Sequence, residues 1–192
     1  MKIKNGSKGF TLIEMLVVVL IIGVLAAVSL SQYKKAVAKS KAAQLQTAIA
    51  SVANSVENFY LVQGSYPRSL DDLDIEINLP TTNGLDARFS VTCGKNLVSY
   101  SHKRGDDFEI SLYDLGIDHR YLISAHFING KYKCRGFVHY LSGYGNKDGS
   151  TYCGEHYYNR SCGTDCEPGI FCEDVMNMQK IGPGTDLMDI YR

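Results

Sequence analysis

The sequence predicts an α+β fold: one long N-terminal helix, its first half transmembrane, packed on an antiparallel sheet of four or five strands, with a disulfide-rich C-terminal loop region. Three observations predict it. The run 10–30 is almost wholly apolar and leads into a stripe at helical spacing; residues 89–140 switch to short β-rich runs punctuated by Gly and Asn; and all six cysteines lie between Cys93 and Cys172. With 192 residues there is room for one ordinary domain plus an appendage. Lys+Arg 20 against Asp+Glu 20 gives no cationic excess, which argues against nucleic-acid binding as the main task. The 13 Tyr and 7 Phe supply enough apolar area for a real core.

The start, 1–9, carries Lys2, Lys4 and Lys8 and no acid. A cleaved secretory signal has a shorter apolar core and a small-residue cleavage site, which Ala26-Ala27-Val28-Ser29 fits poorly. At about 1.5 Å per residue the apolar run spans roughly 30 Å, so it can cross a bilayer as a helix. Lys34, Lys35, Lys39 and Lys41 follow the span and nearly match the lysines before it, so charge does not settle its orientation. Glu14 breaks the apolar pattern among Phe10, Leu12, Ile13, Met15 and Leu16. A carboxylate at the bilayer centre costs about 2.5 to 3.5 kcal/mol on insertion scales, so it needs a partner. Were the chain cut between Gly9 and Phe10, the new ammonium would lie one helical turn before Glu14, within reach in one chain or between neighbours.

The string Lys8-Gly9-Phe10-Thr11-Leu12-Ile13-Glu14-Met15-Leu16, followed by VVVLIIGVLAAVSLSQY, resembles the type IV pilin and pseudopilin family. The resemblance implies a leader, 1–9, cut after Gly9 by a prepilin peptidase of the inner membrane, and N-methylation of Phe10. It implies that Glu14 meets a neighbour's amino terminus during assembly, and that Gly23 is a family glycine inside the apolar helix. Where many members have a proline, this chain has Ser31, so the kink linked to that proline is in question while Gly23 and Ser31 remain candidates for softening the helix. The signature covers 8–33, about a seventh of the chain, and says little of the rest.

The remaining segments follow in order. After the assembly half of the helix, 10–31, an amphipathic half, 32–63, carries Leu45, Ile49, Val52, Val56 and Phe59 at spacings of four and three. Gly64 and Pro67 end it, and Ser69 with Asp72 predicts a capped turn. In the loop and sheet region, 64–140, strands are expected over Phe89 to Cys93, Leu97 to Lys103, Phe108 to Tyr113, Tyr121 to Ile128 and Lys131 to Tyr140, with Asn129-Gly130 as a two-residue hairpin turn. The Gly-rich region 141–192 holds Cys153, Cys162, Cys166 and Cys172. The gaps between the six cysteines, 40, 18, 8, 3 and 5 residues, contain no Cys-x2-Cys pair, so disulfides are expected rather than a metal site. Spacing leaves the connectivity of Cys93, Cys134, Cys153, Cys162, Cys166 and Cys172 open; the family's habit of stapling its C-terminal segment to the sheet implies Cys134 with Cys153.

Lesser signals point to no chemistry. Tyr144, Asn146, Asp148, Gly149, Ser150 and Glu155 fall at calcium-loop places, but the first is no ligand and a plain turn is expected, although some pseudopilins bind calcium in such loops. Asn159-Arg160-Ser161 is a formal glycosylation sequon, and His102, His119, His126, His139 and His156 lack ligand spacing. No nucleophile-elbow, Walker or haem motif occurs, so neither an enzyme nor a cofactor or metal is expected. The expected function is that of a structural subunit of a type IV pilus. The chain would be inserted in the inner membrane as precursor, delivered by peptidase and assembly platform, and polymerised with its own kind into an extracellular filament, with no nucleic acid as partner. A pseudopilin of a secretion or DNA-uptake machine is the alternative.

Overall fold

Beyond the glycine at position 9 no residue interrupts a helix before Gly64, and α1 runs unbroken from Leu12 to Gln63. It passes Gly23 without a break, and at Ser31 the hydroxyl donates to the Val28 carbonyl at 2.9 Å, so the absent proline leaves a continuous ladder. Gly64 ends it in the left-handed conformation (φ 70°), its N–H donating to the Tyr60 carbonyl at 2.8 Å. The computed structural model describes residues 9–77, 87–93, 96–114, 120–143, 145–155, 171–185 and 188–192. It divides into two compact units, 1–38 and 39–192.

In the second unit the predicted stripe is the buried face of the helix: Ala42, Leu45, Ile49, Val52, Ala53 and Val56 are all buried, and Phe59 is half-buried. The predicted cap follows as a 3-10 turn, Leu70–Asp72. Ser69 N–H donates to the Asp72 carboxylate at 2.9 Å, and the Ser69 hydroxyl accepts from Asp71 N–H at 3.2 Å. Leu70 N–H donates to the buried Ser101 hydroxyl at 3.0 Å, and Lys103 pairs with Asp71 at 2.9 Å, which ties this turn to the second strand.

The described residues form one antiparallel sheet of eight strands: β1 (Ala87–Cys93), β2 (Asn96–Arg104), β3 (Phe108–Asp114), β4 (Tyr121–Phe127), β5 (Arg135–Ser142), β6 (Ser150–Glu155), β7 (Lys180–Thr185) and β8 (Met188–Tyr191). Their spatial order is β1-β2-β3-β4-β5-β6-β8-β7. The expected α+β arrangement is thus present with a larger sheet, because the Gly-rich tail adds β6, β8 and β7 to the meander. Polar, Gly-rich strands carry little alternation, and so they read as loop.

Both faces of the sheet are used. Register places Ile110, Ala125 and Phe137 in one row, and Leu112, Ile123 and His139 in the next. His139 lies 3.9 Å from Glu57 of α1, which identifies this as the face toward the helix, and Lys41 of α1 pairs with Asp107 at 2.5 Å. The opposite face buries a second cluster, Leu122, Val138, Tyr140, Tyr152 and Ile190. Beside it is a polar row in which Arg104, Glu109 and His126 stand opposite one another across β2, β3 and β4. Glu109 is buried and accepts from Arg104 Nε at 2.6 Å and from the Ser111 hydroxyl at 2.9 Å.

Two further expectations are corrected. Asn129-Gly130 is not a two-residue hairpin turn, because β4 ends at Phe127 and β5 begins at Arg135. The Asn129 amide donates to the Asp106 carbonyl at 2.6 Å, and Cys134, at φ 63°, closes the longer link by donating its N–H to the Phe127 carbonyl at 2.7 Å. Nor does Cys134 pair with Cys153. Cys153 of β6 is bonded to Cys172 in a π-helical turn, Phe171–Val175, and both cysteines are buried. Aromatic packing sets this partner: Phe171 lies 5.5 Å from Phe127 and 5.2 Å from Tyr132 between ring centres, which brings Cys172 down onto the sheet. Cys134 is itself disulfide-bonded. The side chain of Cys93, and the whole of Cys162, Cys166, His119, His156, Tyr144 and the 159–161 sequon, lie outside the described residues.

Glu155, the last place of the suspected calcium loop, instead ends β6 wholly buried, accepting the Cys172 N–H. Asp148 sits in a turn closed by its N–H on the Gly145 carbonyl at 3.1 Å. Among the described residues no group of three His, Cys, Asp or Glu could hold a metal ion.

A Cβ on Gly136 would stand 2.0 Å from the Ala125 carbonyl oxygen and 2.7 Å from His126 Cα, backbone that cannot yield without breaking the β4–β5 ladder. Gly136→Ala is therefore expected to destabilise the head by about 2 to 3 kcal/mol, seen as a lower urea midpoint in detergent.

Burial lowers the pKa of His126 against the opposing pull of Glu109, with Arg104 and His102 adding to the depression. Burial likewise lowers His139, opposed by Glu57. Burial raises Glu109, but His126, Arg104 and Ser111 together outweigh it and leave its carboxyl below the ordinary range. All three folded-state values are depressed, so each contribution is complete above the unfolded value and is lost as pH falls. Stability should therefore drop first below about pH 6.5 and again below about pH 4.5. Replacing His126 and His139 together by Gln should flatten the first drop and leave the second, in urea titrations across that range.

Candidate functional site: the start of the long helix

The chemistry-bearing residues at the N-terminus are few. From Phe10 to Tyr33 Glu14 is the sole charged residue. The side chains of Phe10, Leu12, Ile13, Met15, Leu16 and onward through Leu30 are exposed at the large apolar positions, and none of the most apolar window of α1 is buried. By length and composition α1 can cross a membrane.

A helix leaves its first N–H groups without partners, and here the sequence Thr11-Leu12-Ile13-Glu14 supplies them. Thr11 is the residue before the first turn, and its hydroxyl accepts the Glu14 N–H at 3.3 Å. Glu14 reaches back and accepts the Thr11 N–H at 2.8 Å and the Thr11 hydroxyl at 2.7 Å, both on Oε2. This is a reciprocal capping box, which satisfies two backbone donors with two side chains. It answers part of the question that the lone acid poses, because the carboxylate meets donors of its own chain and sits on the positive end of the helix. Its Oε1 takes no hydrogen bond among the described residues, so a site for one further donor is left. The Thr-x-x-Glu spacing was readable in the sequence, but attention to the acid as a lone charge passed over Thr11.

Gly9 and Phe10 precede the helix and are exposed, and a Cβ on Gly9 would meet nothing within 4 Å. Residues 1–8 lie outside the described residues. Gly23 is likewise surrounded by open space, and neither it nor Ser31 is brought near the helix start.

Comparison with known proteins matches the family model "Prokaryotic N-terminal methylation motif" over residues 4–30. The chain is 34% identical to "Fimbrial protein Q" of Moraxella bovis over 107 residues, 54% of this chain and 63% of that protein. It is 38% identical to "Type IV major fimbrial protein FimA" of Dichelobacter nodosus over 58 residues, 30% of this chain and 37% of that protein. It is 36% identical to "Type IV major pilin protein PilE1" of Neisseria gonorrhoeae over 62 residues, 32% of this chain and 38% of that protein. The chain spans less than two thirds of the length of these relatives, and no solved structure matches it. The likeness to Fimbrial protein Q is about four times as long as the 27-residue motif, so the chain is similar to type IV pilins beyond the motif at its start.

Proposed function

We propose that this protein is a non-enzymatic structural subunit of a type IV pilus, made as an inner-membrane precursor, cut between Gly9 and Phe10, N-methylated on Phe10, and polymerised through its N-terminal helix into an extracellular filament. The observation that carries this reading is the uncovered apolar stretch of α1 with a single acid at its start. In the precursor, lipid covers those side chains; in a filament, the same stretch of neighbouring copies replaces lipid at little change in apolar contact. The ends of the helices then decide the packing. A charge at membrane depth is tolerated only where it meets its opposite, so the register that brings an ammonium to Glu14 is selected over the others.

The capping box gives this selection a local basis. Thr11 holds Oε2 while Oε1 stays open, so the carboxylate is oriented before a neighbour's amine arrives. A prepilin peptidase exposes that amine, an assembly platform brings copies together, and removal of three lysines with no acid leaves the mature chain about three charges negative. That charge speaks against nucleic acid as a partner of the bulk surface.

Three results test the reading. The mature chain should begin at Phe10 with one added methyl by mass spectrometry, and sheared surface filaments should contain it. Glu14→Ala should leave membrane insertion intact and remove the chain from filaments; normal incorporation of that variant would refute the pairing. Thr11→Val should weaken the first turn of α1 by about 1 kcal/mol, read as faster amide exchange of residues 12–15 in micelles, and should slow incorporation without abolishing it.

A further inference from the structure

Beyond Leu30 the exposed surface of α1 changes from apolar to cationic within about one turn. Tyr33 is 67% exposed, and the exposed Lys34 and Lys35 follow it directly on the helix. Neither ammonium has a hydrogen bond or an ion pair among the described residues. The sequence supplies nothing nearby on the helix to neutralise them, because between Glu14 and Glu57 it holds Lys34, Lys35, Lys39 and Lys41 and no acid.

Depth decides what meets these lysines. Lys34 follows Glu14 by 20 residues of unbroken helix, a rise of about 30 Å, which is the thickness of the hydrocarbon layer of a bilayer. The large apolar side chains between the two are exposed, so in a membrane acyl chains cover them, and the headgroups of the same lipids lie level with Tyr33, Lys34 and Lys35. The occupant of the cationic patch is thus continuous with the lipid that covers the span. A tyrosine at this depth keeps its ring at the boundary and its hydroxyl among the headgroups. A lysine extends its stem outward and brings its N–H donors to a phosphate oxygen. Every phospholipid has that phosphate, but a zwitterionic headgroup also carries its own ammonium, whereas an anionic one keeps a net charge to set against two adjacent cations.

We propose that Tyr33, Lys34 and Lys35 form a headgroup site for anionic phospholipid at the end of the apolar span. The inference rests on the membrane-precursor reading and deepens it by naming the class of lipid. Entry into a filament then breaks phosphate contacts at this end of the span while the Glu14 pairing forms at the other, so the lipid composition of the membrane biases that step.

The chain has no tryptophan, so Tyr33→Trp in the full chain places a single fluorescent reporter at this depth. In vesicles of equal parts phosphatidylcholine and phosphatidylglycerol, brominating the acyl chains of one lipid at a time reads which of them neighbours the reporter. Phosphatidylglycerol should be in local excess by about threefold, and raising the salt to about 1 M should shrink that excess. Adding Lys34→Gln and Lys35→Gln to the reporter chain should bring the two lipids level, while Lys34→Arg and Lys35→Arg should keep the excess. Equal quenching in the reporter chain, or an excess that survives the glutamine pair, would overturn the site. If the lipids are level while Glu14→Ala still removes the chain from filaments, the membrane and filament reading stands and the lipid site falls. If neither brominated lipid quenches the reporter, the span is not in the bilayer and both fall.

Discussion

An apolar helical surface that the described residues leave uncovered is the constraint on which the rest of this structure depends. The side chains from Phe10 to Leu30 meet no core, so water is the one environment in which they are unstable. Lipid and identical helices are both acceptable, and they are nearly equivalent for apolar side chains. Transfer between the two environments can then be directed by a small number of polar groups. In the proposed assembly Glu14 is the group that would direct it, and in the described chain its carboxylate is bonded to Thr11.

The head solves a different problem with the same helix. Past Lys41 the stripe from Ala42 to Val56 turns the rod into one layer of a core, with the Lys41 to Asp107 ion pair and the approach of Glu57 to His139 between it and the sheet. The C-terminal tail has few apolar residues to hold itself down. Among the described residues it is held by the pairing of β6, β8 and β7, by the buried Tyr152, Phe171 and Ile190, by the Cys153 to Cys172 bond, and by a backbone N–H given to the buried Glu155 carboxylate. A bridge closing so short a loop stabilises by about 3 kcal/mol in the chain-entropy view, comparable to one large buried side chain.

Local signals were legible wherever a short stretch carried its own physics. The Gly64 stop, the Ser69 and Asp72 cap and the four-three spacing from Leu45 to Val56 all involve partners within a turn or two, and they are found where the residues put them. The hairpin at Asn129-Gly130 failed because its strongest partner is distant: the Asn129 amide goes to Asp106, more than twenty residues earlier. The Cys134 to Cys153 pairing failed for the same reason. Spacing along the chain says nothing of which sulfur the packing of Phe171 will bring close.

Residues 8–33, read alone, specify a helix, its membrane compatibility, its start and its likeness to the pilin family, because each depends on composition and on contacts three or four residues apart. Only the folded chain decided that the tail supplies three strands, that both sheet faces are buried, and that Cys172 is the partner of Cys153. Those are relations between residues far apart in sequence, and they exist only once packing has chosen among the many pairings the chain permits.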